Sequence, residues 1–88
     1  MMTPAEKKHR EIVEKFPLYK ETAHWTPVLC KVSQRAAIDR VHWAYERGLV
    51  RGDRESRNDY LVPVSGLWLF KDPKVAVEFK LIWGGDSG

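Results

Sequence analysis

A single cysteine, Cys30, stands in the whole sequence. No intramolecular disulfide can staple the fold, and a reducing cytoplasm is the expected compartment. Long apolar runs are missing too. None approaches the ~20 residues needed to cross a bilayer, so no membrane association is expected. The opening stretch, MMTPAEKKHREIVEKF, is charged and has no uninterrupted apolar centre, so it does not read as a secretory signal. There is no G-x-S-x-G elbow, no Walker loop and no dinucleotide fingerprint. His9, His24, Cys30 and His42 are the histidines and cysteine of the chain, and none stands at C-x-x-C or H-x₃-H spacing, so no zinc site is expected. Cys30 as a nucleophile would need His24 or His42 beside it. Between Leu29 and Lys31 in a strand, a small buried hydrophobe is the plainer reading. His42, next to the apolar stripe of a helix, reads as a semi-buried, hydrogen-bonded histidine. A chain of 88 residues also leaves little room for a substrate pocket of the usual ~300 Å³ or more. The expectation is a protein that is not an enzyme and that carries no cofactor or metal.

The length allows one domain spanning residues 1–88. A chain this short buries only about 60–65% of the surface it exposes when unfolded, so its core is thin. Aromatic side chains fill a thin core efficiently, and there are four Trp, three Tyr and three Phe. They concentrate in the last third, YLVPVSGLWLFKDPKVAVEFKLIWG, which any core must use.

Along the chain, Thr3-Pro4-Ala5-Glu6 reads as a capping box that opens a helix with Ala5, Ile12, Val13 and Phe16 on its apolar stripe. Pro17 ends it. Leu18 to Thr26 reads as a loop. Val28 to Val32 reads as a short strand, at an edge because neighbouring Pro27 has no N–H to give a ladder. Ser33 caps a second helix, Gln34 to Arg47, closed by Gly48. Its buried stripe is expected to be Ala37, Ile38, Val41, Tyr45 and, past the cap, Leu49. Arg35, Asp39, Arg40, Trp43, Glu46 and Arg47 are then left mainly outside, with Arg35 and Asp39 close enough to pair. The stretch RGDRESRND, residues 51–59, has no apolar residue and reads as a flexible Arg-rich loop. Its Arg51-Gly52-Asp53 would suit cell adhesion only in an extracellular protein, so a chance turn is the better reading. Tyr60–Val64 and Leu67–Phe70 read as a hairpin turned by Gly66, or as one long strand bulged there. The last segment is open to two readings. As a helix capped by Asp72, it puts Val75, Ala76, Phe79, Ile82 and Trp83 on one face. As a strand, it aligns Val75, Val77, Phe79, Leu81 and Trp83. Gly84-Gly85 ends it either way, and residues 85–88 form a frayed tail.

The ending FKDPKVAVEFKLIWG resembles the C-terminus of small, mostly uncharacterised accessory proteins of tailed bacteriophages, through Phe70, Asp72, Pro73, Ala76, Phe79, Lys80, Leu81, Trp83 and Gly84. The resemblance covers about fifteen residues. It implies a helix for the last element and a viral source, with the host cytoplasm as compartment. It implies no activity. With that helix, the expected fold is α+β, in the order α-β-α-β-β-α, with a small antiparallel sheet covered by helices.

Charge placement points to a function. From Lys31 to Asn58, seven positive residues face four negative ones, which accounts for the whole net charge of +3. Arg35, Arg40, Arg47, Arg51, Arg54 and Arg57, with Trp43 among them, are the candidate contact residues. Arg and Trp dominate protein interface hot spots, and the expected role is binding and modulating a host protein. The alternative is an RNA or single-stranded DNA partner, with the arginines on phosphates and Trp43 stacking on a base. The plain reading beside both is a solvated helix face laced with ion pairs and a rim tryptophan over the core. If the last element is a helix, Val77 and Leu81 point outward as a docking patch or a homodimer contact.

Overall fold

The structure is a computed structural model that describes residues 3–30, 34–53, 56 and 58–83. It has the α-β-α-β-β-α order expected, in a single α+β domain. Helix α1 spans Pro4–Lys15, strand β1 Thr26–Leu29, helix α2 Gln34–Glu46, strands β2 and β3 Tyr60–Val64 and Leu67–Phe70, and helix α3 Pro73–Trp83. The strands form one antiparallel sheet in the order β1-β3-β2.

Strand β3 is central, and Leu67, Trp68, Leu69 and Phe70 are all buried. Successive strand side chains point to opposite faces, so these four residues feed two cores. Leu67 and Leu69 meet Ile12 of α1, Tyr19 and Trp25 on one face. Trp68 and Phe70 meet Ala44 of α2 and Ala76 and Phe79 of α3 on the other. The sheet is therefore covered on both sides. Phe79 is the hub of the second core, with ring centroids 4.8 Å from Trp68, 4.9 Å from Phe70, 5.2 Å from Trp83 and 5.6 Å from Trp43.

The local signals account for most element ends. Thr3 Oγ1 accepts from the Glu6 N–H at 3.2 Å, closing the N-terminus of α1. The Asp72 carboxylate accepts from the Lys74 N–H at 2.9 Å, so the cap, and not the strand alternation, decides the last segment in favour of a helix. At the end of α2, the Gly48 N–H donates to the Tyr45 carbonyl and the Leu49 N–H to the Ala44 carbonyl, with Gly48 at φ +74°. That is a Schellman motif, which needs the left-handed residue glycine supplies. Gly66, at φ +87°, turns the β2–β3 hairpin, and the register slips between Leu61 and Val64, inside β2 rather than at the turn.

Several sequence expectations are corrected. Residues Pro17–Thr22, read as loop, form a short 3₁₀ helix whose Tyr19 and Thr22 are buried. Strand β1 begins two residues earlier than expected, at Thr26 rather than Val28, and Pro27 lies inside it. Ile82 and Phe16, placed on buried stripes, are more exposed than buried neighbours such as Phe79 and Ile12. Ser33 as a cap, Lys31 and Val32 as strand, Gly84-Gly85 as a terminator and the tail at 85–88 fall outside the described residues.

The largest correction is the face of α2. Ile38, Val41 and Tyr45 are exposed, Tyr45 by 81%, while Arg40 and Ala44 are buried and Trp43 is half-buried. Two stripes of helical period run along this helix, 37/38/41/45 and 36/40/43/44. The second wins because Trp43 reaches the ring cluster, edge-on to Phe79 and Trp83. A tryptophan buries more area than an isoleucine or valine, small Ala44 lets the backbone approach the sheet, and an arginine can bury its methylene stem.

Candidate functional site

Five of the seven expected contact residues lie among the described residues, and their surroundings differ. Arg40 is only 3% exposed, so it belongs to the interior beneath α2 rather than to a contact surface. Trp43 is half-buried, packs against the core edge-on to Phe79 and Trp83, and carries the Arg47 guanidinium over its ring. Arg47 is at the surface but engaged: its guanidinium pairs with Glu78 of α3 and lies 4.6 Å above the Trp43 ring. Arg35 is exposed, and Arg35 and Asp39 do not meet as an ion pair among the described contacts. Arg51 is exposed at the start of the 51–59 segment, which is tied down near its ends. Arg51 bridges Tyr60, the Gly52 N–H donates to the Tyr60 carbonyl at 2.7 Å, and the Asp59 N–H donates to the Val50 carbonyl at 2.9 Å. Arg54 and Arg57 lie outside the described residues.

The chain also exposes apolar side chains on two helices. On α2 they are Ile38, Val41 and Tyr45, at spacings of three and four on one face. On α3 they are Val77 and Leu81, one turn apart and outward as expected for a helix, with Ile82 beside them. The α2 stripe lies on the flank opposite Trp43, and Trp43 is the residue that faces α3. The two apolar faces therefore point apart and do not merge.

A third feature had no signal in the sequence. A groove of about 550 Å³ runs between α1 and α3, floored by Thr26, Pro27, Val28 and Leu29, the whole of β1. This exceeds the room that chain length suggested. Its walls are mostly apolar, with Val13 and Trp25 on the α1 side and Ala76 and Val77 on the α3 side. The polar groups are Glu6, His9 and Arg10 from α1 and Lys80 from α3. Glu6 is engaged by the Thr3 hydroxyl at 3.2 Å, and Arg10 lies 3.5 Å from Glu14. Lys80 has no ion-pair partner among the described residues.

Among the buried titratable groups are His9 and Cys30. His9 is buried, and its Nε2 lies 3.4 Å from Thr22 Oγ1, whose hydroxyl donates to the Tyr19 carbonyl. Desolvation holds the imidazole below its ordinary value of 6.5, against a smaller opposing contribution from the bond to Thr22. Neutral His9 thus fastens α1 to the 3₁₀ helix. His42 is exposed, contrary to the semi-buried placement expected of it. The Cys30 thiol is buried, donates to the Gly66 carbonyl at 3.3 Å, and is pushed up by burial with a smaller opposing effect from Arg40. Its protonated, enclosed state suits a packing residue and not a nucleophile. Among the described residues no group of three His, Cys, Asp or Glu gathers to hold a metal ion, and no helix is long and apolar enough to cross a membrane.

Compared with protein-family models, with curated proteins and with solved structures, the chain has no match.

Proposed function

We propose that this protein is a non-catalytic accessory protein, of the kind tailed phages carry, that binds and modulates a host protein in the host cytoplasm. The contact is the outward stripe of α2. The observation that carries this reading is the exposure of Ile38, Val41 and Tyr45 on a helix that buries an arginine instead. A docked surface removes that apolar area from water, and tyrosine is among the side chains enriched at interfaces. Arg35, exposed on the helix surface, borders the stripe. The fitting partner is therefore a protein with an apolar patch edged by carboxylates.

Three placements weigh against the nucleic-acid alternative. Base stacking required Trp43, which is packed inward, and backbone tracking required a row of free arginines. Arg40 is buried and Arg47 is paired.

The test is retention of a partner from bacterial lysate by the wild-type chain and by an Ile38→Ser/Tyr45→Ser double variant, each with and without nuclease. The expected result is a protein held by the wild type through nuclease treatment and lost by the double variant. Equal retention by both chains, or release by nuclease, overturns the proposal. Direct titration with single-stranded DNA and RNA at two salt concentrations separates the alternatives further. Saturable binding that weakens steeply with salt is the phosphate signature.

A further inference from the structure

We infer that the free edge of β1 is a strand-addition site, which takes a short extended peptide of alternating apolar and acidic residues from another protein into the groove between α1 and α3.

The phase of the β1–β3 ladder sets which groups are available. The Cys30 N–H donates to the Gly66 carbonyl at 2.8 Å, and the register continues as Val28↔Trp68 and Thr26↔Phe70. In an antiparallel pair, hydrogen-bonded and non-hydrogen-bonded positions alternate. Residues 26, 28 and 30 therefore turn their backbone groups toward β3, and Pro27 and Leu29 turn theirs outward. Pro27 sits where its missing N–H costs the sheet nothing. The outer edge offers the Pro27 carbonyl together with the Leu29 N–H and carbonyl. The groove lies along this edge, since it touches all four β1 residues and helices on both faces of the sheet.

The opposite edge of the sheet is treated differently. There β2 carries the Arg51–Tyr60 bridge and the Gly52 to Tyr60 hydrogen bond. One edge is occupied by the chain itself, and the other has no backbone partner among the described residues and lies at the bottom of a slot.

The slot selects its occupant. Its edge is recessed between two helices, so the equally recessed edge of a second copy cannot reach it, and Pro27 removes a donor that self-pairing would use. A lone extended peptide fits, and four edge residues span about 13 Å at ~3.3 Å each. Its alternate side chains point to opposite walls. One set meets the α1 side, where Val13, Trp25 and Leu29 form the apolar part of the wall and the flanking Glu6 and Arg10 are engaged by Thr3 and Glu14. The other set meets the α3 side, where Lys80 stands without an ion-pair partner among the described residues and complements a carboxylate. Backbone bonds give affinity and the two walls give selectivity.

The probe is a five-residue Val-Glu-Val-Glu-Val peptide with blocked ends, titrated into the whole protein and followed by backbone amide and indole NMR shifts. Expected are saturable shifts at the Leu29 amide and the Trp25 indole. A version methylated on alternate amide nitrogens, which cannot donate to the Pro27 and Leu29 carbonyls, should bind about tenfold more weakly. Lys80→Glu, at an exposed position, should weaken the acidic peptide and favour its lysine counterpart. The Ile38→Ser/Tyr45→Ser variant should bind the peptide as the wild type does, so this site and the α2 surface stand or fall separately. Equal affinity for the methylated peptide, shifts confined to α2, or no saturation at millimolar peptide overturns the inference.

Discussion

Helices α2 and α3 lie on the same face of the sheet and both leave apolar side chains in water, but they differ in what they bury. In α3 the core side takes Ala76 and Phe79 completely, with Val75 and Trp83 partly covered. In α2 the core side takes Ala44, Trp43 and an arginine, and the residues left in water include isoleucine, valine and tyrosine. The comparison shows that a helix is oriented by what its partner surface can receive, not by how much apolar area one stripe holds. A tryptophan that completes an aromatic cluster outcompetes three separate apolar side chains. The helix that loses that contest keeps an apolar exterior, and such an exterior is a resource for binding.

The sharpest way to break the contrast is at its hub. Phe79→Ala should lower the stability of the fold by about 3–5 kcal/mol, because the cavity touches Trp43, Trp68, Phe70 and Trp83 together. Leu81→Ala, half a turn away on the same helix and 81% exposed, should stay within about 0.5 kcal/mol. Urea unfolding of the two variants measures this. Similar losses for both would mean that α3 is covered on its outer side too.

The matching intrusion on α2 is Ala44→Leu. Ala44 has no exposed surface, so the added carbons must push the helix off the sheet, at about 1–3 kcal/mol. Val41→Ala, three residues earlier on the outward stripe, should be nearly silent by the same measurement. If Val41→Ala cost more than Ala44→Leu, the helix would have to be turned over, and with it the proposed contact surface.

The sequence was legible where one signal pointed one way. The last segment was less legible: its residues suited a helix or a strand, and it is the Asp72 cap on the Lys74 N–H that makes it a helix. Gly48 and Gly66 were readable because each meets a need for positive φ that few other residues fill. The face of α2 was not readable, since its two stripes differ only in what they meet in space. The groove was not readable for a related reason. Pro27 marked β1 as an edge strand, as the strand order shows, but nothing local in Thr26–Leu29 says that α1 and α3 would flank that edge and leave a groove. The candidate arginines were legible as a cluster in sequence, but not that Arg40 is buried and Arg47 pairs with Glu78.

Gly48 gives a smaller handle on the same helix. An added Cβ would have no heavy atom within 4 Å, so crowding contributes nothing to the effect of Gly48→Ala. What remains is the left-handed backbone at φ +74°, worth about 1–2 kcal/mol for a residue with a side chain. Gly48→Asn, which tolerates that region better, should recover part of the loss. A loss shared equally by both variants would point to contacts of the loop after α2 rather than to the end of the helix.

The smallest effect belongs to the polar tie between the two helices. Arg47 and Glu78 are each about half exposed, at 46% and 49%, so solvent screens the pair and the expected coupling is only about 0.2–1 kcal/mol. A double-mutant cycle of Arg47→Ala and Glu78→Ala isolates it, and the coupling should shrink toward zero in about 1 M salt. The single variants should not be equal. Arg47 also covers the Trp43 ring, an interaction worth about 0.5–1 kcal/mol at an exposed site, and Glu78 has no comparable second contact among the described residues. Arg47→Ala should therefore cost more than Glu78→Ala, and the excess should persist in high salt, because stacking over a ring is less screened than an exposed ion pair. Equal single losses that vanish together in salt would remove the ring contact from the account. The join of α2 to α3 would then rest on Trp43 packing alone.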